Sequence, residues 1–321
     1  MKLIRSILSV SAGLLLSTSV AASGAFDFRG PIRVVVPFAA GGATDNIARV
    51  LAPGLEKELG KTVVVENRPG ASGQIGVSYV KKAPADGSVL LLALDHSVVI
   101  VPLITPSADY DAIRDLTALG TIARFEWTFA VPNSSPAKTL QEFAQHIKDN
   151  PASRHYGVPL IGGMPNFMGK SVGDMANVSM EPIPFGGSGQ LMPQLMGGQL
   201  ASGVTGSPEG VIMHDAGKVR ILAITGEKRS ALLPDVPTFS ELGMTDLSLS
   251  SFNAFFAPKG IPEKTAQAFN NALRKVLTDP NVRTKVEEMS MELVPSSTLE
   301  SAKTELESTY KFWNSIDRGL Q

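Results

Sequence analysis

The residues of this sequence best suited to hold a ligand are main-chain amides and hydroxyls. Pro37-Phe-Ala-Ala-Gly-Gly-Ala-Thr-Asp45 joins a β-branched run to a helical stretch. Two adjacent glycines let a ligand approach the backbone closely, and the free N–H groups of a first helical turn attract anions. Thr44 or Asp45 either caps that helix or faces the ligand, and an ordinary glycine-rich turn with a polar cap is the plain alternative. A carboxylate fits this loop better than a nucleotide. The glycines of 70–76 lack the Gly-x-Gly-x-x-Gly spacing, and Gly60-Lys61-Thr62 lacks the P-loop's first glycine, where Leu55 stands. Three more loops share the pattern: Val158-Pro-Leu-Ile-Gly-Gly-Met-Pro165, Pro184-Phe-Gly-Gly-Ser-Gly189 and Val204-Thr-Gly-Ser-Pro208.

Signatures of covalent chemistry are poor. Neither Gly-x-Ser-x-Gly nor His-Glu-x-x-His occurs. Ser135-Pro-Ala-Lys138 matches Ser-x-x-Lys without its companion motifs and reads as a loop entering a helix at 139. The four histidines, 96, 146, 155 and 214, share no ligand spacing, so no metal and no cofactor is expected. With no cysteine in 321 residues, disulfides, thiol nucleophiles and lipidated cysteines are excluded.

The elements that must carry these loops alternate. Strands are predicted from 32, 62 and 88, with helices over 45–59 and 74–82 between them, the spacing of parallel βαβ units. Pro53-Gly54 predicts a kink or early end in the first helix. A second series has strands near 154–157, 181–184, 201–205 and 219–225, and helices near 139–149, 164–177, 188–196 and 208–215. Two extended passages, 120–131 and 247–257, are placed to carry the chain to a second lobe and back. Helices over 262–278 and 298–318 close the chain, the last entered by a capping box at Ser297-Thr-Leu-Glu300.

The fold class that follows is α/β, two lobes joined by two crossover strands. Residues 23–124 with 248–321 form lobe 1, and 125–247 form lobe 2. In open α/β sheets ligands sit outside the carboxyl ends of strands and between domains, which puts all four loops around one cleft. Residues 1–22 have the layout of a secretory signal peptide: Lys2 and Arg5, an apolar stretch from Ile7 to Val20, then small residues. Its removal takes two basic residues and no acidic one, leaving a formal charge of −3. Without a basic tract, nucleic acid and anionic membranes are not expected as partners. An exported, disulfide-free protein of the periplasm is expected, as a monomer.

Pro37 to Asp45, followed by Ala48-Arg49, resembles the first signature of the Bug family, the extracytoplasmic solute receptors of tripartite tricarboxylate transporters. Val65-Glu-Asn-Arg-Pro-Gly-Ala-Ser-Gly73, Ala83-Pro-Ala-Asp-Gly87, Leu233-Pro-Asp-Val-Pro-Thr-Phe-Ser-Glu-Leu-Gly243 and Ala257-Pro-Lys-Gly-Ile-Pro262 resemble later blocks of that family, in order. The resemblance implies a type 2 periplasmic-binding fold, a Venus flytrap that closes on a small carboxylate and delivers it to membrane transporter subunits. By position it implies contacts from Phe38, Ala39, Gly41, Gly42, Thr44 and Asp45, and from Ser97 after the third strand. Across the cleft it implies Ile161, Gly162, Gly163, Phe185, Gly186, Ser188, Thr205 and Ser207. No catalytic residue is implied.

Departures from the family pattern are concentrated in lobe 2. Asn166-Phe167 replaces histidine-leucine, Phe185 a tyrosine, and Gln194 and Ala201 two acids; Phe252 replaces a tryptophan. A distal pocket favouring an apolar or aromatic body is therefore expected, with Met164 and Phe185 nearby. Two other functions fit the same sequence: a receptor presenting its closed form to a sensor protein, and, less well, an exported hydrolase using Ser97 or Ser188.

Overall fold

The computed structural model of the chain describes residues 30–315; the predicted signal peptide and the last part of the helix predicted over 298–318 lie outside them. The chain runs β1 (Ile32–Val36), α1 (Ala43–Leu59), β2 (Val63–Asn67), α2 (Gln74–Lys81), β3 (Val89–Leu94), α3 (Val101–Ile104), α4 (Ala112–Asp115), β4 (Leu116–Phe125) and β5 (Trp127–Pro132). It continues α5 (Leu140–Asp149), β6 (His155–Val158), α6 (Gly163–Ala176), β7 (Glu181–Pro184), α7 (Ser188–Met196), β8 (Ser202–Gly206), α8 (Ser207–Asp215) and β9 (Val219–Ile224). Last come β10 (Ser251–Pro258), α9 (Glu263–Leu277), α10 (Pro280–Glu287), β11 (Glu292–Leu293) and α11 (Leu299–Ser315). A π-helical turn, His96–Ile100, links β3 to α3.

Two sheets result. One is ordered β11-β4-β10-β3-β1-β2 and the other β7-β6-β8-β5-β9. Within the first, β1, β2 and β3 are parallel and β10 is antiparallel to both β3 and β4. Within the second, β6, β7 and β8 are parallel and β5 runs against β8 and β9. The β-branched and leucine runs Ile32–Val36 and Val89–Leu94 are almost wholly buried, as strands covered by helices on both faces must be.

The chain passes between sheets twice. Only Glu126 separates β4 from β5, and the return runs through 225–250 into β10. The two passages are sewn together: Trp127 N donates to Thr225 Oγ1 at 2.9 Å and Thr225 N to Trp127 O at 2.9 Å. Trp127 Nε1 donates to Ser251 Oγ at 2.8 Å, and the Ser251 hydroxyl in turn serves the buried Asp95 carboxyl at the end of β3. Burial pushes Asp95 up to about 7 despite those hydrogen bonds.

Two local expectations are corrected. First, α1 does not end early at Pro53 but runs on to Leu59. Its buried face of Ile47, Ala48, Leu51 and Leu55 holds it to the sheet, which outweighs one missing hydrogen bond. Gly54 serves close packing there, since a Cβ on it would lie 2.8 Å from Val276 Cγ1 of α9. Second, the capping box of α11 is displaced by one residue. Thr298 Oγ1 accepts from Ser301 N at 3.1 Å and Ser301 Oγ from Thr298 N at 2.8 Å. Ser297 is drawn away because its hydroxyl accepts from Thr121 N at 2.8 Å in β4. Among the described residues no helix is long and apolar enough to cross a membrane.

Candidate functional site

The carboxyl ends of β1, β2 and β3 and those of β6, β7 and β8 open onto one seam, beside the two crossovers. Five helices begin there, each on a glycine: α1 after Gly42, α2 after Gly73, α6 after Gly162, α7 after Gly187 and α8 after Gly206. None of the five has a capping side chain, whereas α4, α5 and α10 are capped by Asp111, Thr139 and Asp279. α9 also starts uncapped, at Pro262 and at the opposite end of its sheet, so convergence rather than the missing cap marks the seam. Open N–H groups and the positive ends of helix dipoles suit a negatively charged group.

The loop after β1 is fixed from behind by Asp45. Its buried carboxylate accepts from Gly41 N at 2.8 Å, Arg49 Nε at 2.9 Å and Asn67 Nδ2 at 2.9 Å. Asn67 Nδ2 also reaches Phe38 O at 3.1 Å. Burial alone would raise the Asp45 carboxyl, but the hydrogen bonds from Arg49, Gly41 and Asn67 outweigh it and hold the group below its ordinary value. Phe38 is half-buried, and Ala39, Gly41 and Gly42 are exposed. The loop thus offers backbone to the seam while its one acid faces inward. Asp45→Ala is expected to cost about 2–4 kcal/mol at pH 7, from several lost charge-assisted hydrogen bonds. Because the folded carboxyl is held low, that contribution persists above the ordinary carboxylate range and fades as pH falls below it. Thermal unfolding at pH 7 and pH 3 should show the gap between variant and wild type narrowing.

Thr44 is also buried, and donates through Oγ1 to Asn253 Oδ1 at 3.0 Å. Asn253, in β10, is completely buried, yet its Nδ2 has no partner. An unfilled buried donor is costly, about 1–3 kcal/mol, and this one hangs from the first turn of α1. Ser97 is a strut: it is fully buried and donates to Ser72 O at 2.7 Å. That bond pins the turn at 71–73, where a Cβ on Gly73 would lie 2.3 Å from Ser97 Oγ.

In lobe 2, Ile161 is 60% exposed, and Asn166 Oδ1 accepts from Gly162 N at 2.9 Å, a use for the asparagine at that position. Gly162 and Gly163 lie directly on lobe 1. A Cβ on Gly162 would stand 2.1 Å from Ile104 Cδ1, and one on Gly163 2.9 Å from His96 Nδ1. His96 is fully enclosed with neither ring nitrogen partnered, and burial lowers it to about 4, so it is a neutral imidazole at the interlobe contact. Phe167 of α6 meets Trp313 of α11 edge to face at 6.3 Å. Phe185 is half-buried, and Gly186 N donates to Gln190 Oε1 at 3.2 Å.

Thr205 and Ser207 face inward. Thr205 Oγ1 is 2.9 Å from Thr128 Oγ1, and Ser207 Oγ donates to Ser290 O at 3.0 Å. Met164, expected near the ligand, is 2% exposed and belongs to the core. Ser188, at the start of α7, hydrogen-bonds Glu209. Glu209 and Asn253 are seam residues that the sequence reading passes over. Ser207-Pro-Glu209 carries only the ordinary signal of an acid in a helix's first turn, and Asn253 interrupts an apolar strand without any motif. Among the described residues no group of His, Asp or Glu could hold a metal ion.

Similarity to known proteins agrees with this geometry. The sequence model of the family described as "Tripartite tricarboxylate transporter family receptor" matches residues 47–317. A Cupriavidus necator protein, "UPF0065 protein in gbd 5'region", is 35% identical over 262 residues, 82% of this chain and 79% of that one. The periplasmic binding protein BugD superposes with a TM-score of 0.80 at 28% identity, covering 89% of this chain and 96% of its own. An R. palustris protein, Rpa4515, solved with adipate, gives 0.78 at 26% identity, covering 88% and 94%.

Proposed function

The chain belongs to the tripartite tricarboxylate transporter receptor family, and from that premise we propose that it captures a small organic carboxylate in the interlobe seam and delivers it to membrane transporter subunits. The observation that carries this reading is the start of α1: an uncapped helix N-terminus on exposed glycine backbone, above the unfilled Asn253 Nδ2 donor. One carboxylate oxygen suits the first-turn amides of α1 and another hydrogen-bond acceptor suits Asn253. The structural relative solved with adipate supports the same class of ligand.

Binding is the whole of the work. A ligand touching both lobes favours the closed arrangement by the contacts it makes there and not in an open one. The hydroxyl of Ser97 is committed to Ser72 O, which argues against it as a nucleophile; Ser188 hydrogen-bonds the Glu209 carboxyl, and turnover of ester substrates by the purified protein tests the hydrolase reading that remains. Thermal unfolding against a panel of carboxylates tests the proposal. A ligand at 100 times its dissociation constant should add about 2.7 kcal/mol of stability. A panel of mono-, di- and tricarboxylates that leaves the transition unmoved would remove the proposal.

A further inference from the structure

Glu209 is the third residue of α8, and its carboxyl accepts from its own main-chain N–H and from Ser188 at the start of α7. A Cβ on Gly206 would lie 3.3 Å from Glu209 Oε2 and 3.4 Å from Phe125 Cε2. The carboxyl therefore lies over the N-cap of α8, beside the last residue of β4 and facing the start of α7. The residue as a whole is only partly exposed. Among the described residues no lysine, arginine or histidine forms an ion pair with it. Desolvation pushes it up to about 7, the response of an acid left without a cation.

The consequence is an asymmetric seam. On the lobe 1 side, α1 presents open amides, while Asp45 is turned away and neutralised by Arg49. On the lobe 2 side, the place where α7 and α8 would meet an anion is already filled by the chain's own carboxyl. At pH 8, with the carboxyl ionised, a second ligand carboxylate there would face like charge at short range, whereas an ammonium would supply the missing counter-charge. Resting on the carboxylate-receptor reading above, we propose that Glu209 is the specificity-determining residue of the distal half of the cleft, selecting monocarboxylates that carry an ammonium group at their far end over dicarboxylates of the same length.

The test pairs ligands that differ only at that end. Calorimetric titration at pH 8 would compare 4-aminobutanoate, 5-aminopentanoate and 6-aminohexanoate with succinate, glutarate and adipate, on the wild-type protein and on Glu209→Gln. Gln keeps the shape and can still accept from Ser188, and removing an unpaired buried charge does not threaten folding. The wild type should prefer at least one aminocarboxylate to its length-matched dicarboxylate by tenfold or more. Glu209→Gln should shrink that ratio at least tenfold while dicarboxylate binding strengthens. Wild-type preference for dicarboxylates, or a ratio unchanged in Glu209→Gln, overturns the assignment of Glu209 and leaves the receptor reading standing. Binding of neither series to the wild type overturns the assignment, and a silent wider panel would overturn the receptor reading as well.

Discussion

Gly42→Leu should abolish ligand-induced thermal stabilisation while leaving the unliganded protein folded. Gly42 has φ −75° and ψ 166°, extended backbone that any residue adopts, and a Cβ there meets only Ala39 O at 3.4 Å. The leucine is therefore admitted by the fold but projects from an exposed position at the mouth of α1. Its neighbour Gly41 makes a poor substitute for the experiment, because its φ of 83° would strain any side chain. The expected reading is a melting transition within a degree or two of wild type without ligand, and loss of most of the roughly 2.7 kcal/mol that a saturating carboxylate supplies. A full ligand shift in Gly42→Leu would place the carboxylate elsewhere.

The second large effect is expected at Gly163, where the two lobes touch. Its φ is 66°, and an alanine methyl would stand 2.9 Å from His96 Nδ1 and 3.0 Å from Ile100 Cδ1. Left-handed backbone costs alanine about 1–2 kcal/mol, and the methyl acts as a wedge in the interlobe contact. Ligand affinity should fall tenfold or more, because closing must now displace His96 or Ile100, both packed in the core. Gly217→Ala is the control: its φ of 65° is nearly the same, and nothing lies within 4 Å of the added Cβ. It should lose similar stability with affinity unchanged. Equal affinity in both variants would show that the Gly163 contact plays no part in capture.

The alternation of strands and helices was legible because it rests on local pattern. β-branched runs opened near 32, 62 and 88, and the strands begin at Ile32, Val63 and Val89. Glycine loops after strands also reveal where a ligand can approach. What local pattern withholds is the direction of a polar side chain within such a loop. Thr44, Asp45, Ser97 and Ser207 lie at helix starts at the seam and Thr205 near the end of β8, yet each turns inward to a partner. Several of the partners are remote: Thr44 meets Asn253 across 209 positions, and Ser207 meets Ser290 across 83. Glu209 is the converse case. An acid in a helix's first turn is ordinary, and only the folded chain shows that Ser188 and Gly206 flank it and that, among the described residues, no cation pairs with it.

The most direct test of carboxylate capture at α1 is a crystal structure with a carboxylate that raises the melting transition. The account predicts its carboxylate oxygens within about 3 Å of the first-turn amides of α1, with the rest of the ligand touching residues of both lobes. A ligand lodged against one lobe alone, or one whose carboxylate lies away from α1, would contradict it.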